Sequence, residues 1–146
     1  MNLLCAIAEI GRLASTRITA LSSFYDTQPV GPVNQDNFLN ATLKLETSLS
    51  PHHLLEELQR IETAVLKRER TIHWGPRPMD LDILFYGDLI LTEEELTIPH
   101  PRLHERGFVL VPLAEIAPEF IHPVLQNSIA ELLASLKTTE RVKKYV

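Results

Sequence analysis

The chain has 146 residues, 45% of them apolar and 23% charged, which is typical of one globular domain and excludes a disordered or fibrous chain. Its 14 Lys and Arg residues against 19 Asp and Glu residues give a net charge of −5, which argues against nucleic acid as a partner, because binding it needs a basic surface. Cys5 is the only cysteine and excludes an intrachain disulfide. No apolar run is long enough to span a bilayer, and the N-terminus carries no export signal, so we expect a cytoplasmic protein.

The first part of the chain predicts a helix followed by two strands. Residues 2–10 show apolar residues at helical spacing. Residues 17–25 are rich in β-branched and aromatic types, and residues 38–46 alternate between apolar and polar. One face of the second strand is therefore core, and the other is available for chemistry. Between the strands, residues 26–37 collect Pro, Gly, Asn and Asp and predict a long loop.

The second part predicts two further helices and one more strand. Ser50 caps a helix with Pro51 at its first position. An irregular stretch over residues 67–78 follows, and then a strand over 79–86. A capping box over residues 128–131 opens a final helix. This order of elements predicts an α+β sandwich, in which amphipathic helices cover one face of an antiparallel sheet.

The strongest local signal is the pair Asp80 and Asp82 within the predicted strand. Side chains two residues apart on a strand project from the same face, so the two carboxylates lie together on the outer face. Two close carboxylates repel each other unless a cation lies between them, and oxygen ligands favour Mg²⁺. An isolated Asp-x-Asp is also typical of a solvated strand face.

A basic stretch precedes the aspartates and favours the metal interpretation. Lys67, Arg68, Arg70, His73 and Arg77 concentrate positive charge in an acidic protein. The guanidinium group of arginine forms paired hydrogen bonds to phosphate oxygens. A polyphosphate bound between this basic stretch and the aspartates therefore explains both the positive and the negative charges. The alternative is a basic loop that pairs with nearby glutamates.

Together these motifs make the chain resemble the 6-hydroxymethyl-7,8-dihydropterin pyrophosphokinases of folate biosynthesis. The W-G-P-R-x-x-D-x-D and P-H-x-x-x-x-x-R-G-F patterns are specific in combination. The resemblance extends from the first helix to the last and rests on five segments: SSFYDTQPVGP (22–32), FLNATLKLET (38–47), QRIE (59–62), HWGPRPMDLDILFYG (73–87) and IPHPRLHERGFVLVPLAEIAP (98–118).

The resemblance implies one ferredoxin-like α+β domain over residues 1–146 that transfers pyrophosphate from ATP to the pterin hydroxymethyl group and releases AMP. ATP and the pterin would be its small-molecule partners, and we expect a monomer. Relatives begin with a strand and a Gly-Ser-Asn-Leu-Gly-like turn, whereas residues 2–10 of this chain already form the first helix, so we expect the first strand to be missing. The alternative from another class is a non-catalytic pterin- or nucleotide-binding homologue inactivated by that truncation. A palm-type nucleotidyltransferase also uses carboxylates on such a sheet, but it leaves the pterin residues unexplained.

The resemblance also implies a role for each matching residue. Two Mg²⁺ ions would be held by Asp80 and Asp82. Catalytic contacts to the triphosphate would come from Arg68, Arg70, Arg77 and Arg106, the first two on a mobile lid. The ATP site would be lined by Gln59, Glu62, Arg77, Ile98, His100 and Arg106. The pterin pocket would consist of Thr27, Val30, Phe38, Asn40, Trp74 and Phe108.

Overall fold

The computed structural model describes residues 2–28, 38–70, 79–137 and 141–145. The chain divides into two compact units, each discontinuous in sequence. Unit 1 comprises Met1–Ile18 and Leu45–Ile83, and unit 2 comprises Thr19–Lys44 and Leu84–Val146. That both units belong to one domain over residues 1–146 stays a prediction.

Unit 1 is built on two helices that pack against each other, α1 (Asn2–Gly11) and α2 (Pro51–Arg70). The predicted helix over 2–10 is therefore confirmed. Burial of apolar side chains from both helices stabilises the pair. The buried members are Ala6, Ile10, Leu54, Leu58, Ile61 and Val65.

The start of α2 follows the predicted capping pattern. The backbone N–H of His53 donates to the Oγ atom of Ser50 at 3.1 Å, and Pro51 is the first helical residue. The helix continues to Arg70, so the prediction of irregular chain was wrong for residues 67–70. Lys, Arg and Glu favour helix, and no Gly or Pro interrupts the sequence there. Residues 71–78 lie outside the described chain.

Each of the two strands predicted over residues 17–25 and 38–46 is divided into two. The first gives β1 (Thr16–Leu21) and β2 (Tyr25–Gln28), and the second gives β3 (Phe38–Asn40) and β4 (Leu43–Thr47). β1 pairs with β4, while β2 pairs antiparallel with β3.

The break in this pair has a visible cause. The backbone N–H of Thr42 donates to the Oγ atom of Ser22 at 2.9 Å, while the N–H of Ser22 donates to the Thr42 carbonyl at 2.8 Å. A side-chain oxygen thus replaces one ladder acceptor. Residues 26–28 belong to β2, so the predicted loop was wrong there, and residues 29–37 lie outside the described chain.

The predicted strand over residues 79–86 was wrong. Although apolar and polar positions alternate in exposure up to Ile83, this segment belongs to no sheet in the described part of the chain. A strand is stabilised by a ladder of hydrogen bonds to a neighbour. The hydrophobic pattern of one segment cannot supply that neighbour.

Unit 2 combines short strands and helices. A strand β7 (Arg141–Lys144) pairs antiparallel with the other side of β2, giving the strand order β3-β2-β7. Two further short strands, β5 (Leu91–Thr92) and β6 (Thr97–Ile98), also pair antiparallel.

The helices of unit 2 enclose its core. They are α3 (Gly107–Ile116), preceded by a 3-10 turn at Leu103–Glu105, and α4 (Ile129–Ser135). The predicted capping box between Ser128 and Glu131 is present at the start of α4. The centre of this core consists of Leu103, Leu110, Leu113 and Ile129.

Helices and antiparallel strand pairs together confirm the predicted α+β class. In the described residues the strands form three small sheets of two, three and two strands. No helix described by the structure is both long and apolar enough to cross a membrane.

Candidate active site

Unit 1 presents the two predicted metal-binding aspartates to solvent. Asp80 and Asp82 are exposed, Leu81 between them is half-buried, and Ile83 is buried. The alternation expected of this motif is therefore present even though the segment is not part of a sheet. Burial of Ile83 anchors the segment, while both carboxylates remain accessible to a ligand.

Glu62 of α2 lies beside this pair. Its Oε2 atom accepts a hydrogen bond of 3.2 Å from the backbone N–H of Leu81, the residue between the aspartates. Burial raises the pKa of Glu62, the Leu81 hydrogen bond acts in the opposite direction, and the charges of Asp80 and Asp82 raise it further. We refer to Glu62, Asp80 and Asp82 as the acidic group, because the charges of both aspartates act on Glu62.

The donor set of this group suits a hard divalent cation. Carboxylate oxygens are the ligands that Mg²⁺ prefers, and Mg²⁺ commonly keeps one or two carboxylates and completes its shell with phosphate oxygens and water. Asp80 and Asp82 are accessible for such coordination, and their charges act on Glu62. A bound cation would reduce the repulsion between the aspartates and Glu62, so the residues fit a magnesium site.

Gln59, predicted to line the nucleotide site, is exposed on α2 three residues before Glu62. Residues three apart on a helix lie on neighbouring positions of one face. Unit 1 thus places Gln59 on the same side of α2 as the acidic group.

Unit 2 brings together two of the predicted pterin-binding residues. Thr27 on β2 is only 4% exposed, and Asn40 on β3 is half-buried. The Nδ2 atom of Asn40 donates a hydrogen bond of 3.1 Å to the Oγ1 atom of Thr27. A buried hydroxyl and a neighbouring amide form a polar pair that can recognise the edge of a heterocycle.

The start of α3 carries two further predicted residues. Arg106 is the residue that immediately precedes the helix, and Phe108 lies in its first turn. The Arg106 guanidinium carbon lies 5.7 Å from the centroid of the Phe108 ring, a cation–π contact. Because Arg106 precedes the first turn of α3, it lies where the helix dipole favours an anionic ligand.

Ile98 and His100 hold the chain that leads to this helix. Ile98 is 1% exposed in β6, and the backbone N–H of His100 donates to the Leu84 carbonyl at 2.9 Å. Ile98 thus contributes to the core of unit 2, and the half-buried His100 follows it at a defined position.

The predicted residues thus fall into a set in unit 1 and a set in unit 2, and several lie outside the described structure. Gln59, Glu62, Asp80 and Asp82 belong to unit 1, whereas Thr27, Asn40, Ile98, His100, Arg106 and Phe108 belong to unit 2. Val30, Trp74 and Arg77 lie outside the described residues, as do the side chains of Phe38, Arg68 and Arg70.

One group next to the predicted pterin residues was missed by sequence reasoning. Glu115 of α3 accepts hydrogen bonds from Ser23 and Tyr25, at the start of the strand that carries Thr27. One signal was available in the sequence, because Glu115 is the only charged residue in the apolar segment 107–116.

The fold and the acidic group define an α+β protein whose unit 1 carries the donor set of a divalent-cation site. The family model described as 7,8-dihydro-6-hydroxymethylpterin-pyrophosphokinase (HPPK) matches residues 1–118. The chain therefore belongs to the 7,8-dihydro-6-hydroxymethylpterin-pyrophosphokinase family.

Individual relatives agree with this assignment. The 2-amino-4-hydroxy-6-hydroxymethyldihydropteridine pyrophosphokinase of Haemophilus influenzae is 46% identical over 94% of this chain and 85% of the relative. The protein of the same name from Synechocystis sp. is 44% identical over 94% of this chain and 70% of the relative. That from Bacillus subtilis is 46% identical over 78% of this chain and 68% of the relative.

Proposed function

We propose that the chain transfers the β,γ-pyrophosphoryl group of ATP to the hydroxymethyl oxygen of 6-hydroxymethyl-7,8-dihydropterin. The alcohol oxygen forms a bond to the β-phosphorus, the bond from that phosphorus to the αβ-bridging oxygen breaks, and AMP and a proton are released. The observation that carries the proposal is the family match over residues 1–118, together with relatives that bear the name of this enzyme.

Two Mg²⁺ ions are part of the proposal. Asp80 and Asp82 would hold them, and Glu62 would keep the aspartate segment in place through the N–H of Leu81. When bound, Mg²⁺ neutralises phosphate oxygens and acts as a Lewis acid on the transferred group. We also assign Gln59, Glu62, Ile98 and His100 to the nucleotide site.

The arginines have distinct proposed roles. Arg106, before the first turn of α3, would bind the triphosphate. Arg77 would stabilise the charge that develops on the leaving AMP. Arg68 and Arg70, together with Trp74, would cover the site and exclude water, which otherwise competes with the alcohol as acceptor.

The pterin pocket in this proposal consists of side chains from unit 2 and from chain segments outside the described residues. Thr27 and Asn40 would supply hydrogen bonds to the polar edge of the pterin. The aromatic Phe38 and Phe108 would provide flat surfaces for stacking. Val30 would contribute apolar surface, and Trp74 would close the pocket.

We place the protein in the cytoplasm, because its co-substrate ATP is a cytoplasmic metabolite. We also propose that it acts there as a monomer on small molecules. The net charge of −5 makes nucleic acid a poor partner.

The test is an assay of the purified chain with ATP and 6-hydroxymethyl-7,8-dihydropterin, with and without Mg²⁺. We expect equal amounts of AMP and pterin diphosphate, both dependent on Mg²⁺. ADP or free pyrophosphate as the product, or pterin binding without turnover, would contradict the proposal. The last result would instead indicate a non-catalytic binding protein.

A further inference from the structure

A carboxylate on α3 connects that helix to the strand of the predicted pterin pocket. Both oxygens of Glu115 accept hydrogen bonds of 3.0 Å from the backbone N–H of Ser23, and Oε2 also accepts one of 3.0 Å from Ser23 Oγ. The hydroxyl of Tyr25 donates to Oε1 at 2.5 Å. Hydrogen bonds to an ionised carboxylate are the stronger ones in proteins.

The surroundings of Glu115 favour the ionised form of its carboxylate. The hydrogen bond from Tyr25 lowers the pKa of Glu115, burial opposes this, and the Ser23 hydrogen bonds and the charge of Lys144 lower it further. Lys144 lies on β7, opposite Tyr25 in the register of the two strands. Glu115 therefore binds the start of β2 by hydrogen bonds, and its charge interacts with that of Lys144 on β7.

Tyr25 belongs to the same face of the sheet as the predicted pterin residues. It lies two positions before Thr27 on β2, and alternate residues of a strand share a face. It is also directly opposite Asn40 on β3. A displacement of Tyr25 would therefore change the positions of both polar groups of the pocket.

The other end of α3 carries Phe108. Phe108 and Glu115 are seven residues apart, about 10 Å along a helix and on the same helical face. Leu110 and Leu113 fix the helix in the core of unit 2, and α3 contacts β2, β3 and β7. Since α3 is fixed by its apolar side chains, loss of the Glu115 hydrogen bonds would displace the strand rather than the helix.

We propose that Glu115 is a positioning residue for pterin, which holds Thr27 and Asn40 at a fixed distance from Phe108. This inference rests on the proposed function, because it takes these three residues as the pocket. Glu115 does not contact the substrate in this scheme. It acts through Tyr25 and Ser23.

The test compares Glu115→Gln and Tyr25→Phe with the wild type by steady-state kinetics and thermal unfolding. An amide nitrogen donates where Oε2 accepts, so Glu115→Gln loses the Ser23 Oγ bond in its present form. We expect the pterin KM to rise about tenfold, as for the loss of one charge-assisted hydrogen bond. The ATP KM should stay within about twofold. Tyr25→Phe should show a smaller change in the same direction.

Glu119→Gln is the matched control, because Glu119 is an exposed carboxylate just beyond the end of α3. It should leave both KM values unchanged. If Glu115 were needed only for folding, Glu115→Gln would lower kcat, because less of the protein would be folded, and it would leave both KM values unchanged. This result would overturn the inference. An equal rise in both KM values would also overturn it. If Glu115→Gln does not fold, the same two results in Tyr25→Phe decide the question.

Direct titration of the pterin, followed by its own fluorescence, separates this inference from the proposed function. A wild type that binds pterin but does not form AMP contradicts the proposed function alone. The ratio of pterin Kd values between Glu115→Gln and wild type then still decides the role of Glu115. A wild type that binds no pterin contradicts both.

Discussion

The backbone N–H of Leu81 donates its hydrogen bond to the Oε2 atom of Glu62, at 3.2 Å. Because Leu81 separates Asp80 from Asp82, this contact holds the backbone of the aspartate motif against α2. Burial and the charges of both aspartates raise the pKa of Glu62, because each of them disfavours the ionised carboxylate. Glu62 therefore has two separable effects, one on the backbone and one on the local charge.

Glu62→Gln tests the effect of the charge. The amide oxygen still accepts from Leu81, so we expect an unchanged thermal midpoint. Loss of one negative charge should raise the Mg²⁺ concentration for half-maximal activity by roughly three- to tenfold, as for about 1 kcal/mol at a partly exposed site. The measurement is a Mg²⁺ titration of activity at saturating ATP. Glu56→Gln, at an exposed position of the same helix, is the control, and an equal shift in that variant would contradict a local effect.

Asp82→Ala tests the proposed metal ligand itself. Since Asp82 is exposed and lies among other carboxylates, its removal should not destabilise the protein. We expect kcat to fall by about a hundredfold or more, the scale of losing a preorganised electrostatic group, while pterin binding remains measurable. The control is Asp88→Ala, at another exposed position, which should keep normal activity. Full activity of Asp82→Ala at ordinary Mg²⁺ would contradict the assignment.

Thr27→Val tests the polar pair of the pterin pocket. The substitution keeps the shape of the side chain but removes the hydroxyl that accepts from Asn40 Nδ2. With its amide no longer held, Asn40 should lose orientation, and we expect the pterin Kd to rise about tenfold. Calorimetric titration with pterin in the presence of a non-hydrolysable ATP analogue measures this. Thr92→Val, on an exposed position of β5, is the control, and an unchanged Kd in Thr27→Val would show that the pair does not bind the pterin.

Local signals in the sequence predicted the helix starts and the exposed aspartates. Ser50 and Ser128 cap their helices as expected, because a cap depends only on residues within one turn. Exposure of Asp80 and Asp82 followed from alternation along one segment. The strand expected over 79–86 was wrong because pairing depends on a second segment, which the pattern of the first does not encode.

The contacts that organise the site were not predictable in the same way. The Leu81–Glu62 bond joins residues 19 positions apart, and the Tyr25–Glu115 bond joins residues 90 positions apart. Neither pair forms a recurrent motif. The isolated charge of Glu115 within an apolar helix indicates a buried or paired role, but its partners become known only when α3 and β2 are placed together.

Tyr25→Phe should change the pH dependence of stability in alkaline solution. The hydrogen bond to Glu115, followed by burial and the charge of Glu115, raises the pKa of Tyr25 from 10.0 to about 12. Between these values the folded protein retains a proton that the unfolded chain has lost. The stabilisation from this group is therefore fully present below pH 10.0 and is lost as the pH rises through about 12. We expect the difference in unfolding free energy between wild type and Tyr25→Phe to be constant below pH 10.0 and to shrink between pH 10.0 and about 12. Urea unfolding between roughly pH 8 and pH 12 measures the difference, and Tyr145→Phe, at a position that is 51% exposed, should follow the wild-type curve. A constant difference across the whole range would show that Tyr25 does not keep its proton through the Glu115 contact.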